Sequence, residues 1–291
     1  MTTRVVPAAD GRDLTVHEGG DAGGLPVVVH HGTPSSGLLY EKWTDDASAR
    51  GIRLIGFDRA GYGGSSRLHG RAVSAAAADA EAVADALGLE RFATWGISGG
   101  GPHALACAAL CGERLTAAAS LAGVAPWGSE GLDWLAGAGE ANVEEFELVL
   151  AGEDALRPFV ERDRSGLLAG GPEELTAAMA SLLGDADRAV LQTGLAAWMD
   201  AAHSNGLRDS GDGWIDDDLA FVAPWGFEPG DIARPVLIAQ GGDDRFVPRA
   251  HGDWLAVHVP GCDAWIDDAD GHLTLLERRI PEVHEWLLAH S

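Results

Sequence analysis

The sequence predicts an α/β fold: a mostly parallel central sheet flanked by helices, with a helical insertion. Three observations lead there. Short apolar runs alternate with helix-patterned stretches through the first 126 residues. One of those runs, "GIRLIGFD", is continuously apolar and β-branched, as a strand buried on both faces must be. The alternation stops after Pro126, gives way to purely helical patterns, and resumes near residue 232.

In chain order, "DLTVHEG" and "PVVVHHG" read as the first strands and "GIRLIGFD" as the third. "SAAAADAEAVADALG" reads as a helix closed by Gly88. "RFATWGI" is a strand, "GPHALACAALCG" a helix ending at Gly112, and "LTAAASLAG" another strand. Residues 127–231 offer no convincing strand. "GGPEELTAAMASLL" and "DADRAVLQTGLAAWM" are their clearest helices, and five of the ten tryptophans fall there. "RPVLIAQGGDD" and "CDAWIDDAD" restore the strands. "LTLLERRIPEVHEWLLAH" closes the chain as a helix in which Pro281 marks a kink or a start. The expected division is a core of residues 1–126 and 232–291 with a helical insertion at 127–231.

The net charge of −25 argues against nucleic acid and anionic membrane surfaces as partners. No run of about twenty apolar residues could form a transmembrane helix. The first residues lack the apolar core of a secretory signal, so a cytoplasmic location is expected. Cys107, Cys111 and Cys262 read as buried small hydrophobes, and no Cys/His cluster has zinc spacing. The acidic runs "WIDDDLAF" and "WIDDADGH" lack the calcium-loop pattern and read as loops. No metal or organic cofactor is expected, and nothing specifies an oligomeric state.

Candidate chemistry centres on "ATWGISGGGPHALA". Gly96, Ser98 and Gly100 satisfy G-x-S-x-G, although 40 glycines in the chain make the match weak alone. Its placement adds weight. Ser98 follows a predicted strand and opens a predicted helix, so a sharp turn would push its hydroxyl outside the strand ends. Flanking glycines let strand and helix cross closely. The helix N-terminus aims the N–H of Gly99 where an oxyanion would develop. A serine hydroxyl needs a base, and the base an orienting acid. His272 follows the last predicted strand and is the candidate base. His103 shares the serine's own helix and points into packing or solvent. His251, His258, His284 and His290 lie in or beside helices, where a surface position fits better. Asp244, in G-x-x-D-x-x-V-P after the strand "VLIAQG", is the candidate acid, with Asp243 as the fallback.

With these residues in place, the chain resembles the α/β-hydrolase fold family, in the branch with a helical cap inserted after core strand six. "HHGTP" matches the family's H-G-x-P loop, which implies Thr33 as the second N–H donor of the oxyanion hole. "FDRAGYGGSS" is similar to its D-x-x-G-x-G-x-S turn, implying a structural role for Asp58. Serine at position 98 speaks against the dehalogenases and epoxide hydrolases, which attack through a carboxylate. H-G-T-P departs from the H-G-G-P-G loop of proline iminopeptidases. "LAGVAPWG" carries no carboxylate at the alternative acid position, which supports Asp244.

The resemblance implies a serine hydrolase cleaving a small-molecule ester, lactone or thioester through an acyl-enzyme. Alternatives on the same triad are C–C bond hydrolysis, amide or peptide hydrolysis, and cofactor-free perhydrolysis. A non-catalytic ligand-binding protein on this scaffold is the lesser alternative. Trp127, Trp198 and Trp225 are candidate substrate contacts, or simply pack the insertion onto the core.

Overall fold

The computed structural model describes residues 1–192 and 194–291. Eight strands form one sheet: β1 (Thr2–Pro7), β2 (Asp13–Gly20), β3 (Leu25–His30), β4 (Ile52–Phe57), β5 (Phe92–Ile97), β6 (Leu115–Leu121), β7 (Val236–Gly241) and β8 (Asp263–Asp267). Their order is β1-β2-β4-β3-β5-β6-β7-β8. β2 runs antiparallel to both β1 and β4, and every other pairing is parallel. β5, β6 and β7 are buried along their whole lengths, as their continuous apolar sequences require. β1 is absent from the sequence reading because only Val6 of its six residues is buried. An edge strand with one inward side chain carries almost no periodic signal.

Helices α1 (Glu41–Arg50), α2 (Ala75–Ala86) and α3 (Gly100–Leu110) alternate with strands in the first half. α1, with only Trp43 and Ala47 buried, is likewise absent from the sequence reading. Between β6 and β7 lie α4 (Glu140–Ala151), α5 (Glu153–Ala169), α6 (Pro172–Ala178), α7 (Asp185–Val190), α8 (Leu195–Leu207) and α9 (Asp212–Val222). α10 (Arg249–His258) separates β7 from β8, and α11 (His272–Thr274) and α12 (Ile280–Ala289) close the chain. Among the described residues, no helix is long and apolar enough to cross a membrane.

Several local expectations change. "DADRAVLQTGLAAWM" is not one helix: α7 ends at Val190 and α8 begins at Leu195 with Gly194 as its N-cap. Thr193 lies outside the described residues. Pro281, read as a kink or a start, sits in the first turn of α12 directly after a π-helical segment at Leu275–Arg279, within a helical run unbroken from His272. "WIDDDLAF" is not a loop but most of α9, and Asp216, Asp217 and Asp218 are all buried. Successive residues on a helix point about 100° apart. The three carboxylates therefore reach three different environments, and no loop is needed to solvate them. Cys107 is buried on α3 and Cys111 at its C-cap, Cys262 is half-buried, and all three are free thiols.

The connection from β3 crosses to β4 on one side, whereas β5 connects to β6 on the other. The C-terminal ends of β3 and β5 thus flank the point where the winding reverses, which is where open α/β sheets place ligands.

Candidate active site

Ser98 stands immediately beyond β5 with φ 54°, a left-handed conformation rare for a residue with a side chain. Its N–H donates to the Leu121 carbonyl at 2.8 Å, and its own carbonyl accepts from the Gly101 N–H at 2.8 Å. These bonds hold the turn between strand and helix. The crossing is too tight for side chains: a Cβ on Gly96 would lie 2.0 Å from the Gly100 carbonyl oxygen, and one on Gly100 2.1 Å from that of His30. The role assigned to these two glycines from sequence therefore holds.

The loop after β3 packs onto this turn. A Cβ on Gly99 would fall 2.2 Å from Thr33 Oγ1, which places Thr33 directly against the start of α3. Among the described residues, neither the Thr33 N–H nor the Gly99 N–H has an acceptor within the chain. Thr33 Oγ1 is itself fixed, donating to Asp217 at 2.7 Å and accepting from Arg59 Nη2 at 3.1 Å.

Asp217 is the centre of a buried network absent from the sequence reading. Its carboxylate also takes Arg59 Nη2 at 2.6 Å, Arg71 Nη1 at 2.7 Å, the Tyr62 hydroxyl at 2.9 Å and His103 Nε2 at 3.2 Å. Burial opposes its ionisation, but the two guanidiniums outweigh burial and hold it well below the usual carboxylate range. His103 therefore belongs to packing rather than chemistry. Burial and Arg59 lower it to about 4, so it is neutral near pH 7. Asp58 orders the neighbouring turn, accepting from the N–H of Gly37 at 2.8 Å and of Gly64 at 3.2 Å.

The structure brings the candidate acid and the candidate base together. His272, in the first turn after β8, donates from Nδ1 to Asp244 Oδ2 at 2.8 Å. Asp244 Oδ1 accepts the N–H of Phe246 at 2.9 Å and of Val247 at 2.8 Å, and Gln240 Nε2 lies 3.1 Å from Oδ2. The Phe246 ring stacks on the imidazole at 4.5 Å. With Nδ1 committed to Asp244, Nε2 is the nitrogen free to exchange a proton. Burial alone would depress the imidazole, yet the Asp244 charge and hydrogen bond, with Asp187 beyond, raise it above its ordinary value. Asp243 does not touch His272. Its Oδ2 accepts the Asp185 N–H at 3.1 Å.

Ser98 and His272 line one cavity of about 520 Å³. They are not hydrogen-bonded: among the described residues, Ser98 Oγ has no partner within 3.5 Å. Nucleophile–base contacts are often long without substrate and shorten when it binds. Trp198 lines the cavity, as do Trp134 and Trp214. Trp127 and Trp225 do not. Trp225 is buried against Phe227, and Trp127 packs on Trp134. Sequence cannot tell the two sets apart, because both satisfy the same apolar pattern. His251 and His284 are not surface residues. His251 accepts the Ala125 N–H at 3.0 Å, and His284 meets Asp46 at 2.7 Å. His258 and His290 are exposed as expected.

The cavity wall also holds Glu145 and Asp218, one from α4 and one from α9. Trp214 Nε1 donates to Glu145 Oε1 at 2.6 Å. Burial raises both carboxyls, Glu145 to about 7, and the charge of Glu145 adds to the rise at Asp218. Folded Glu145 thus keeps a proton that the unfolded chain releases above its ordinary pKa of 4.5. Its contribution to stability is full below that pH and is lost as pH rises through about 7. Glu145→Gln stays neutral at every pH. The melting temperature of the wild type minus that of the variant is expected to fall by a few degrees across this window and stay level above it. A difference that does not change with pH would show that Glu145 ionises in the fold as it does in water. Among the described residues, no group of three or more His, Cys, Asp or Glu side chains is arranged to hold a metal ion.

Comparison with known proteins agrees with this architecture. Residues 26–278 match the family model described as alpha/beta hydrolase fold. A non-heme haloperoxidase from Rhodococcus erythropolis is 30% identical over 268 residues, covering 87% of this chain and 86% of that protein. Among solved structures, an esterase from Exiguobacterium antarcticum superposes with a TM-score of 0.72 at 22% identity, covering 99% of this chain and 98% of that one. A thermophilic esterase from Thermogutta terrifontis gives 0.71 at 21% identity, covering 100% of both chains.

Proposed function

The chain belongs to the alpha/beta hydrolase fold family, and from that membership we propose that it is an esterase-type serine hydrolase acting on a small-molecule carboxylic ester, lactone or thioester. One observation carries the reading. A serine held in left-handed backbone at a strand-to-helix turn shares a cavity with a histidine whose Nδ1 is bonded to a buried aspartate.

In this reading Ser98 Oγ attacks the acyl carbon while His272 Nε2 takes its proton. Asp244 holds the imidazole tautomer and stabilises the imidazolium. The N–H groups of Thr33 and Gly99 receive the oxyanion, and each such donor is worth about 2.7–4 kcal/mol of barrier. His272 then protonates the leaving alcohol or thiol. Water, deprotonated by the same imidazole, attacks the acyl-enzyme and releases the acid. Residues 127–231 act as a cap over this chemistry, with Trp134, Trp198 and Trp214 shaping the acyl or alcohol site.

The test is covalent labelling of the folded protein with a fluorophosphonate. The adduct is expected on the peptide containing Ser98 and is expected to vanish after heat unfolding. Folded protein that takes up no label would overturn the reading.

A second reading is favoured by the haloperoxidase relative. If hydrogen peroxide replaces water in the second step, the acyl-enzyme releases a peracid instead of an acid. Assaying peracid formation from an ester and peroxide separates the two outcomes.

A further inference from the structure

The short helix α7 is tied to the loops of both the proposed acid and the proposed base. At its start, the Asp185 N–H donates to Asp243 Oδ2 at 3.1 Å, next in sequence to Asp244. A Cβ on Gly184 would lie 2.0 Å from the same oxygen. In its body, Asp187 is completely buried. Asp187 Oδ2 accepts the His272 N–H at 2.9 Å. Its Oδ1 accepts the N–H of Leu273 at 2.9 Å and of Thr274 at 3.0 Å, and the Thr274 hydroxyl at 3.2 Å. A Cβ on Gly271 would lie 2.5 Å from Asp187 Oδ1, so the residue before the histidine must be small for this carboxylate to dock.

We propose that Asp187 is a positioning residue for the proposed general base: it fixes the backbone of His272 so that the ring meets Asp244, and it places a second negative charge beside the imidazolium formed in the reaction. The assignment rests on the serine-hydrolase reading. Capping of α11 by a carboxylate 85 residues away in sequence is more than a helix end requires, since a local serine or aspartate could serve. The distant choice couples the base loop to the segment between β6 and β7. Two charges act on the imidazole, Asp244 from the β7 turn and Asp187 from α7. The nearby Asp270 is paired with Arg279, and Asp243 with Arg245 and the α7 start.

Asp187→Asn keeps an acceptor oxygen but removes the charge, whereas Asp187→Ala removes both. The His272 ring is titrated by proton NMR, its signal assigned by loss in His272→Gln. In Asp187→Asn the imidazole pKa is expected to fall by at least about half a unit. The acidic limb of kcat/KM against pH should move the same way. Asp187→Ala is expected to lower kcat about 100-fold with KM within about twofold, as displacement of a reacting group does, and Asn should restore part of that loss. An unmoved imidazole titration, or a loss confined to KM, overturns the assignment. If neither variant folds, Gly271→Ala decides, because its Cβ must displace the carboxylate while leaving it in the chain. It is expected to lower the imidazole pKa and kcat together, and no change in either overturns the proposal. The NMR titration needs no turnover, so it fails or succeeds independently of the hydrolase reading, which fluorophosphonate labelling of the wild type tests.

Discussion

Replacing Ser98 with alanine is expected to lower kcat/KM for p-nitrophenyl acetate by about 10⁴- to 10⁶-fold while barely moving the melting temperature. The loss is large because the remaining oxyanion donors and binding surface have no group to attack the acyl carbon. Stability is spared because the hydroxyl has no hydrogen-bond partner among the described residues and the turn is held by backbone bonds. Strain at this position gives a second readout. Alanine inherits the left-handed φ of 54°, whereas glycine adopts it freely, so Ser98→Gly should be more stable than Ser98→Ala by about 1 kcal/mol. Turnover that survives in either variant removes Ser98 from the mechanism. A glycine variant no more stable than the alanine one would mean that the turn relaxes without cost.

Asp244→Asn is expected to cost about 10⁴-fold in kcat, and Asp243→Asn less than tenfold. The two aspartates are adjacent, yet their surroundings differ completely. Asp244 is buried, bonded to His272 Nδ1, and steadied by two backbone N–H groups and Gln240. An asparagine there can turn its NH₂ towards Nδ1 and stabilise the wrong tautomer, leaving Nε2 protonated and unable to act as a base. Asp243 binds the start of α7 and Arg245 rather than the imidazole, so its loss reaches the imidazole indirectly. Parallel measurement of kcat for the two variants checks this. Equal losses would transfer the orienting role to Asp243 or divide it between them.

The contrast between these neighbours shows where the sequence runs out. G-x-x-D-x-x-V-P placed an aspartate after β7, but one residue of register separates a carboxylate facing the imidazole from one facing a helix start. The turn was legible because glycine, aspartate and proline act on the backbone within a few residues. The direction of each side chain depended on packing against His272 and α7. The same holds in α9. Three consecutive aspartates resemble solvated loop residues until Arg67 is brought against Asp216, Arg59 and Arg71 against Asp217, and Glu145 beside Asp218, all from other parts of the chain.

The sequence by itself determined seven of the eight strands, the helical segment between β6 and β7, the sharp turn at Ser98 and the placement of His272. Each of these follows from apolar runs, small residues and turn chemistry over short stretches. Only the tertiary structure decided which tryptophans line the cavity, that Asp217 anchors Thr33, and that Asp187 grips the backbone of His272. A buried carboxylate is stable only where distant donors converge on it. Those donors lie 114 to 184 residues from Asp217 and 85 to 87 residues from Asp187, separations at which no local pattern can signal them.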